Sequence, residues 1–303
     1  MCIRDSYGTG APYINGGEVQ NKGVEVGLSW NDNIADFRYG VNVNMAYNKN
    51  VVTKIANGEG IIYGPNDVLD QNTGYLFLAQ EGYPIGYFYG YKTNGIFQNA
   101  EQVANTEAKV VDAAPGDLIF VDTDKDGDID SDDRTMLGNP HPDVNLGFGL
   151  NMEYKGFDFS ITANGAFGHQ IAQSYRPQTN KLYYNYTKQM MDERWHGEGT
   201  SNTFPRLGNA ANFNKVSDIY IQDADYVRIQ NITLGYDFKR LWKKSPLKQM
   251  RLYLSLQNWF TFTGYDGFDP AVGYGGGTDW ASGVDLGFYP SAKSFIIGAN
   301  LKF

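Results

Sequence analysis

From Phe37 to Tyr47 the chain alternates without a break. Phe37, Tyr39, Val41, Val43, Met45 and Tyr47 fall on one face, and Arg38, Gly40, Asn42, Asn44 and Ala46 on the other. A period of two sustained over eleven residues specifies an extended strand with one apolar side and excludes a helix, whose period is 3.6. The pattern recurs. Val144, Leu146, Phe148, Leu150, Met152 and Tyr154 share a face, Lys155-Gly156 supplies a two-residue turn signal, and Phe157, Phe159, Ile161 and Ala163 form the second arm of a hairpin. Val24, Val26, Leu28 and Trp30 make another such face, and Phe295, Ile297, Ala299, Leu301 and Phe303 make one more. None of these apolar positions is charged, while the opposite faces carry Glu25, Arg38, Glu153, Asp158 and Lys302.

A soluble sheet with one buried face alternates in the same way, so length has to separate the two cases. Soluble strands cluster near ~5–6 residues and tilted membrane-spanning strands need about 9–11. The long runs here match the second value and carry aromatic residues at or near their ends: Trp30, Phe37, Tyr47, Tyr154, Phe157 and Phe303. Such rings form the interfacial girdles of an outer-membrane barrel. Glycine (36 residues) and aromatic residues (15%) are abundant, which agrees with an all-β, turn-rich chain.

The pattern predicts nine antiparallel strands, at 22–30, 37–47, 74–80, 85–91, 144–154, 157–167, 226–238, 251–263 and 294–303. The connections then sort by length. Segments 31–36, 81–84, 155–156 and 239–250 become periplasmic turns, and 48–73, 92–143, 168–225 and 264–293 become long outer loops, the asymmetry of an outer-membrane barrel. Within 226–238 the apolar parity switches between Ile229 and Ile232, which either a bulge near Gln230-Asn231 or a misplaced strand start would reconcile. Bacterial single-chain barrels have an even strand count, so nine strands imply the C-terminal segment of a larger barrel, residues 7–303. Met1–Ser6 joins poorly to the sequence after it and reads as a non-native start.

The net charge of −9 argues against a nucleic-acid partner, which needs clustered Lys and Arg. The one short basic cluster, Lys239-Arg240-Leu241-Trp242-Lys243-Lys244, reads as the decoration of a turn. A single cysteine, Cys2, forbids an internal disulfide and a thiolate metal site. No GxSxG, HExxH, phosphate-binding Gly-rich loop or CxxC is present, so the chain does not read as an enzyme.

Chemistry concentrates in Asp122-Thr-Asp-Lys-Asp-Gly-Asp-Ile-Asp-Ser-Asp-Asp133. Carboxylates stand at positions 1, 3, 5, 9 and 12 of a calcium-loop spacing, with glycine at 6 for the sharp turn. Asp122, Asp124, Asp126, the Asp128 carbonyl and Asp133 are the candidate oxygen ligands of a structural Ca²⁺. Pro115-Gly116 before the loop and Gly138-Asn139-Pro140 after it break any flanking helices, so the loop is expected to stiffen outer loop 92–143 without forming an EF-hand. The aromatic stretch 181–199 offers Tyr183, Tyr184, Tyr186 and Trp195 as candidate stacking surfaces for a sugar or peptide, or as packing within the loop.

An ordered set of segments resembles the C-terminal third of the SusC/RagA family of TonB-linked outer-membrane transporters of Bacteroidetes. It comprises Asn21-Lys-Gly-Val-Glu-Val-Gly-Leu-Ser-Trp30, Glu81-Gly-Tyr-Pro-Ile-Gly-Tyr-Phe-Tyr-Gly-Tyr91, Gly95-Ile-Phe-Gln98 and Pro115-Gly-Asp-Leu-Ile-Phe-Val-Asp122. It continues with the Asp loop, Gly138-Asn-Pro-His-Pro-Asp143, Asp225-Tyr-Val-Arg-Ile-Gln-Asn-Ile-Thr-Leu-Gly-Tyr236, Gln257-Asn-Trp-Phe-Thr261 and Gly267-Phe-Asp-Pro270. The resemblance implies a large barrel around a plug in the outer membrane, driven by the TonB–ExbB–ExbD complex. It further implies a SusD-like surface lipoprotein over the outer mouth and an oligosaccharide or peptide as cargo. The rival reading of the residues is a secreted, calcium-stabilised β-sandwich that binds glycans.

Overall fold

The computed structural model describes residues 16–70, 72–175 and 186–303. Seven strands form one antiparallel meander: β1 (Gly17–Ile34), β2 (Phe37–Ile55), β3 (Val144–Tyr154), β4 (Phe157–Phe167), β5 (Tyr226–Asp237), β6 (Gln249–Thr263) and β7 (Ser294–Lys302). Each pairs with its neighbour in sequence order, the simplest topology for a wall built of hairpins.

Register turns the sequence alternation into two chemically distinct surfaces. One row across all seven strands reads Trp30, Val41, Leu150, Ile161, Ile232, Leu256 and Phe295. The adjacent row, on the opposite face, reads Ser29, Asn42, Gly149, Thr162, Asn231, Gln257 and Ser294. The apolar face is not covered: Val24, Leu28, Trp30, Leu234, Ile297 and Leu301 are among its exposed residues. A continuous exposed apolar surface of this extent marks contact with another apolar phase, and a sandwich would have buried it against a second sheet. The rival reading is therefore not supported by the fold.

On the polar face small residues let neighbouring side chains lie flat. Arg251 on β6 donates to Asp158 on β4, through Nε at 2.8 Å and Nη2 at 2.5 Å, across the intervening strand. A Cβ at Gly235 on β5 would come within 2.5 Å of Asp158 and 2.7 Å of Arg251, so only glycine admits this pair. Arg38 and Glu153 form a second ion pair at 2.7 Å on the same end of the wall.

The expected set of strands needs correction. Segments 74–80 and 85–91 are not wall strands. Phe77–Gln80 and Tyr87–Gly90 belong to a separate four-stranded sheet with Ile61–Tyr63 and Thr135–Gly138, so among the described residues the wall has seven strands and not nine. Phe77, Leu78, Tyr87 and Phe88 are all at most 1% exposed, so neighbouring residues are buried on both faces and no lipid-facing side exists. β1 and β2 are also longer than expected, 18 and 19 residues. The polar stretch Asn31-Asp-Asn33, read as turn, continues β1, and the chain reverses at residues 35–36, where Ala35 adopts φ 51°. The bulge is borne out: the register of β5 shifts between Ile229 and Asn231 against β6, and β4 shifts opposite it.

The sorting of connections survives these changes. Residues 35–36, 155–156 and 238–248 are the short turns at one end, and 56–143, 168–225 and 264–293 emerge at the other. Lys155 and Gly156 both take positive φ, 45° and 95°, the backbone that a two-residue hairpin turn requires.

Candidate functional site

The long connections are not loose loops. They fold into a lobe whose main core joins Val68, Leu69, Leu76, Phe77, Phe88, Ala172, Val216, Tyr220, Ala281 and Val284. These residues come from all three connections, so the lobe is one packed body over the long-loop end of the wall.

One buried carboxylate of the lobe is satisfied across connections. Asp117, fully buried, accepts from Arg206 Nε at 2.7 Å and Nη2 at 3.1 Å, from Asn209 Nδ2 at 2.9 Å and from Asn212 Nδ2 at 3.0 Å. Burial opposes ionisation of Asp117, but the hydrogen bonds from Arg206, the Ala114 amide, Asn212 and Asn209 outweigh it and hold the carboxyl below its usual range. Tyr265 donates to the buried Asp285 at 2.8 Å. Burial first, and then this acceptor, push the tyrosine hydroxyl up. His169 lies close to Asp225, Nδ1 to Oδ1 3.9 Å, and its burial lowers its basicity.

The Asp loop lies between two lobe strands, Leu118–Phe120 and Thr135–Gly138, and not between helices, as the flanking prolines and glycines implied. Its first half is wound by side chains that accept from the following backbone. Asp122 accepts from the Lys125 and Gly127 amides at 2.6 and 3.0 Å, Asp124 from the Asp126 amide at 3.3 Å, and Asp126 from the Asp128 amide at 2.9 Å. This winding brings carboxylate oxygens of Asp122, Asp124 and Asp126 within 4.8 Å of one another. Loss of hydration and the charge of Asp126, followed by those of Asp133 and Asp122, raise the Asp124 carboxyl above its usual value, against a backbone hydrogen bond from Asp126.

Asp133 is placed differently. It is fully buried, and its two oxygens accept from the Thr123 amide at 2.5 Å and the Asp130 amide at 2.9 Å, closing the loop from within. The Asp128 side chain is exposed and lies outside the trio. Of the expected ligand set, then, three carboxylates converge and Asp133 braces the loop they stand on.

The aromatic candidates divide. Tyr183 and Tyr184 lie outside the described residues. Tyr186 packs against the cluster of Met190, Phe204 and Phe213. Trp195 packs against Ile96 and Leu118, and its indole N–H donates to Gln98 at 3.2 Å. Both are half-buried packing residues in this arrangement. Sequence reasoning missed Asp117 and Arg206, whose link spans separate connections and leaves no local signal.

No family model matches the chain. It is 32% identical over 304 residues to the TonB-dependent receptor P3 of Formosa agariphila, an alignment that takes in 98% of this chain and 30% of that protein. With the TonB-dependent receptor SusC of Bacteroides thetaiotaomicron it shares 29% identity over 302 residues, 95% of this chain and 27% of SusC. Among solved structures, the RagAB peptide importer in its open-open state superposes with a TM-score of 0.73 at 22% identity, over 98% of this chain and 30% of that one. A further RagAB peptide transporter structure gives 0.74 at 21%, and at such identities the likeness speaks for the fold. The chain thus spans about 30% of the length of the proteins it matches, and these are receptors and importers by name. With an exposed apolar face on an antiparallel meander, a lobe at one end only and this likeness over nearly its whole length, the chain is similar in sequence to TonB-dependent receptors, SusC among them, and has the fold of a segment of such a receptor's β-barrel.

Proposed function

We propose that this segment forms part of the wall and outer lobe of an active outer-membrane importer of oligosaccharides or peptides. The TonB–ExbB–ExbD complex energises it and a SusD-like surface lipoprotein covers its outer mouth. The observation that carries this reading is the pair of adjacent rows across the wall, apolar from Trp30 to Phe295 and uncharged polar from Ser29 to Ser294, together with a packed lobe at the long-loop end. A wall of that kind separates lipid from a hydrated lumen, and a folded lobe there gives cargo and lipoprotein a shaped surface. SusC and the RagAB peptide importer support the assignment by kinship. The test is uptake: a strain lacking the protein should lose growth on one oligosaccharide or peptide class, and loss of TonB should reproduce the defect. Normal uptake of every class by the deletion strain would refute the reading.

The Asp loop is proposed as a structural Ca²⁺ site. The donor set fits a hard cation: Asp122, Asp124 and Asp126 converge, the Asp128 carbonyl follows in the spacing, and Asp133 braces the turn. The ion would supply the charge neutralisation that the clustered carboxylates lack. With free Ca²⁺ a hundredfold above Kd, the lobe should gain about 2.7 kcal/mol. The gain is expected as a higher thermal midpoint than in chelator, and the double variant Asp122→Asn/Asp124→Asn should abolish the difference. Equal midpoints in Ca²⁺ and chelator for the unaltered protein would remove the site.

A further inference from the structure

The turn between β5 and β6 is chemically unlike the rest of the chain. Residues 238–248 hold Lys239, Arg240, Lys243, Lys244 and Lys248 and no acidic residue, in a protein of net charge −9. Leu241 and Trp242 stand beside them at 71% and 55% exposure.

The turn is built and tied down. Phe238–Arg240 forms a single 3-10 turn capped by the Asp237 side chain, which accepts from the Lys239 amide at 3.0 Å. The Lys239 ammonium donates to the Ser245 and Lys243 carbonyls at 2.7 and 3.2 Å, and the Lys248 amide donates to the Lys302 carbonyl on β7 at 2.6 Å. Lys239 thus holds the turn together, and Arg240 leans over Gly156 on the neighbouring hairpin. Lys243, Lys244 and Lys248 remain exposed at the rim.

Acidic side chains at this end of the wall are engaged elsewhere. Asp237 caps the turn, Asp158 is held by Arg251, and Glu153 by Arg38. Among the described residues no ion pair reaches Lys243, Lys244 or Lys248. Directly above the turn, the outward face ends in a chain of rings, with Phe157 to Tyr236 at 4.4 Å and Tyr236 to Phe238 at 5.0 Å between centroids. Aromatic rings at the end of a lipid-facing strand mark the level of the headgroups. An exposed Leu-Trp pair and three unpaired ammonium groups therefore lie where acyl chains meet phosphates. Lysines just beyond the hydrocarbon attract anionic headgroups, and a tryptophan beside them settles in the interface.

We propose that residues 241–248 are a docking site for anionic phospholipid headgroups of the leaflet at the short-turn end, with Leu241 and Trp242 inserted at the interface and Lys243, Lys244 and Lys248 on the lipid phosphates. The site rests on the barrel reading, and its test separates the two. The full receptor carrying this chain is reconstituted in phosphatidylcholine vesicles containing a minor share of phosphatidylglycerol, with brominated acyl chains on one lipid or the other. Fluorescence is assigned by difference with Trp242→Phe and, for the wall, Trp30→Phe. Brominated phosphatidylglycerol is expected to quench Trp242 as if enriched on the order of tenfold over its bulk share. The triple variant Lys243→Gln/Lys244→Gln/Lys248→Gln should bring quenching back to the bulk ratio and leave Trp30 unchanged. Equal quenching of Trp242 by both lipids, or quenching of Trp30 but not Trp242, would overturn the headgroup site and leave the barrel standing. Absence of quenching at both tryptophans would overturn the barrel, and the site with it.

Discussion

Replacing Leu150 by arginine is expected to destabilise the barrel by roughly 2–4 kcal/mol in a lipid bilayer, the cost of a cation on the lipid face near mid-strand. Leu150 sits on the apolar row between Val41 and Ile161, with Phe148 and Met152 beside it along the same face of β3. Its neighbour Asn151 lies on the polar row between Gly40 and Ser160. Asn151→Arg is the internal control. Its side chain enters the hydrated side, and a small effect is expected even though the strand and the added charge are the same. Equilibrium unfolding of the full receptor in vesicles, followed by denaturant titration, reads both variants. Equal losses for the two would show that the outward face is wrongly assigned.

That face was legible in sequence because every residue of a lipid-exposed strand answers to its solvent. Val24 to Trp30, Phe37 to Tyr47, Val144 to Tyr154, Phe157 to Ala163 and Phe295 to Phe303 alternate where the structure has wall, and the broken parity between Ile229 and Ile232 located the bulge of β5. The same rule failed at 74–80 and 85–91. There Phe77, Leu78, Tyr87 and Phe88 are apolar because the lobe core surrounds them, and a short apolar run does not tell lipid from protein interior. Their length, shorter than the wall strands, was the available warning.

The candidate site was half legible for a related reason. The Asp spacing is local, so it identified Asp122, Asp124 and Asp126 as neighbours, but the use of Asp133 as an internal brace depends on backbone amides that only the folded loop presents. The stacking role weighed for Tyr186 and Trp195 was set against loop packing, and the packing partners, Phe213 and Ile96 among others, come from distant parts of the chain. Long-range partners of this kind carry no periodicity.

Asp117→Ala illustrates the largest of these invisible contributions. The carboxylate is fully buried and receives Arg206, Asn209 and Asn212, while the Asn212 side chain also accepts from the Leu118 amide at 3.0 Å. Removing it strands a guanidinium and two amides in a desolvated site, and breaking a buried pair of this kind costs about 3–5 kcal/mol. Because the Arg206 side chain is 36% exposed and regains some water, about 3 kcal/mol is the expected loss. The loss should fall on the lobe: hydrogen exchange should rise in segments 93–120 and 204–220 and stay unchanged in the wall strands. The pH dependence comes from the lowered carboxyl. A carboxylate held below its unfolded value of 3.8 contributes its full stabilisation above that pH and loses it as pH falls through the lowered native value. The unaltered lobe should therefore loosen in acid below about pH 4, and Asp117→Asn, which keeps the shape without the charge, should be weaker at neutral pH and lose that part of the acid response. An Asp117→Ala lobe with unchanged exchange at neutral pH would mean that Arg206 and the two asparagines find other partners, and that the two outer connections are held together by the apolar core alone.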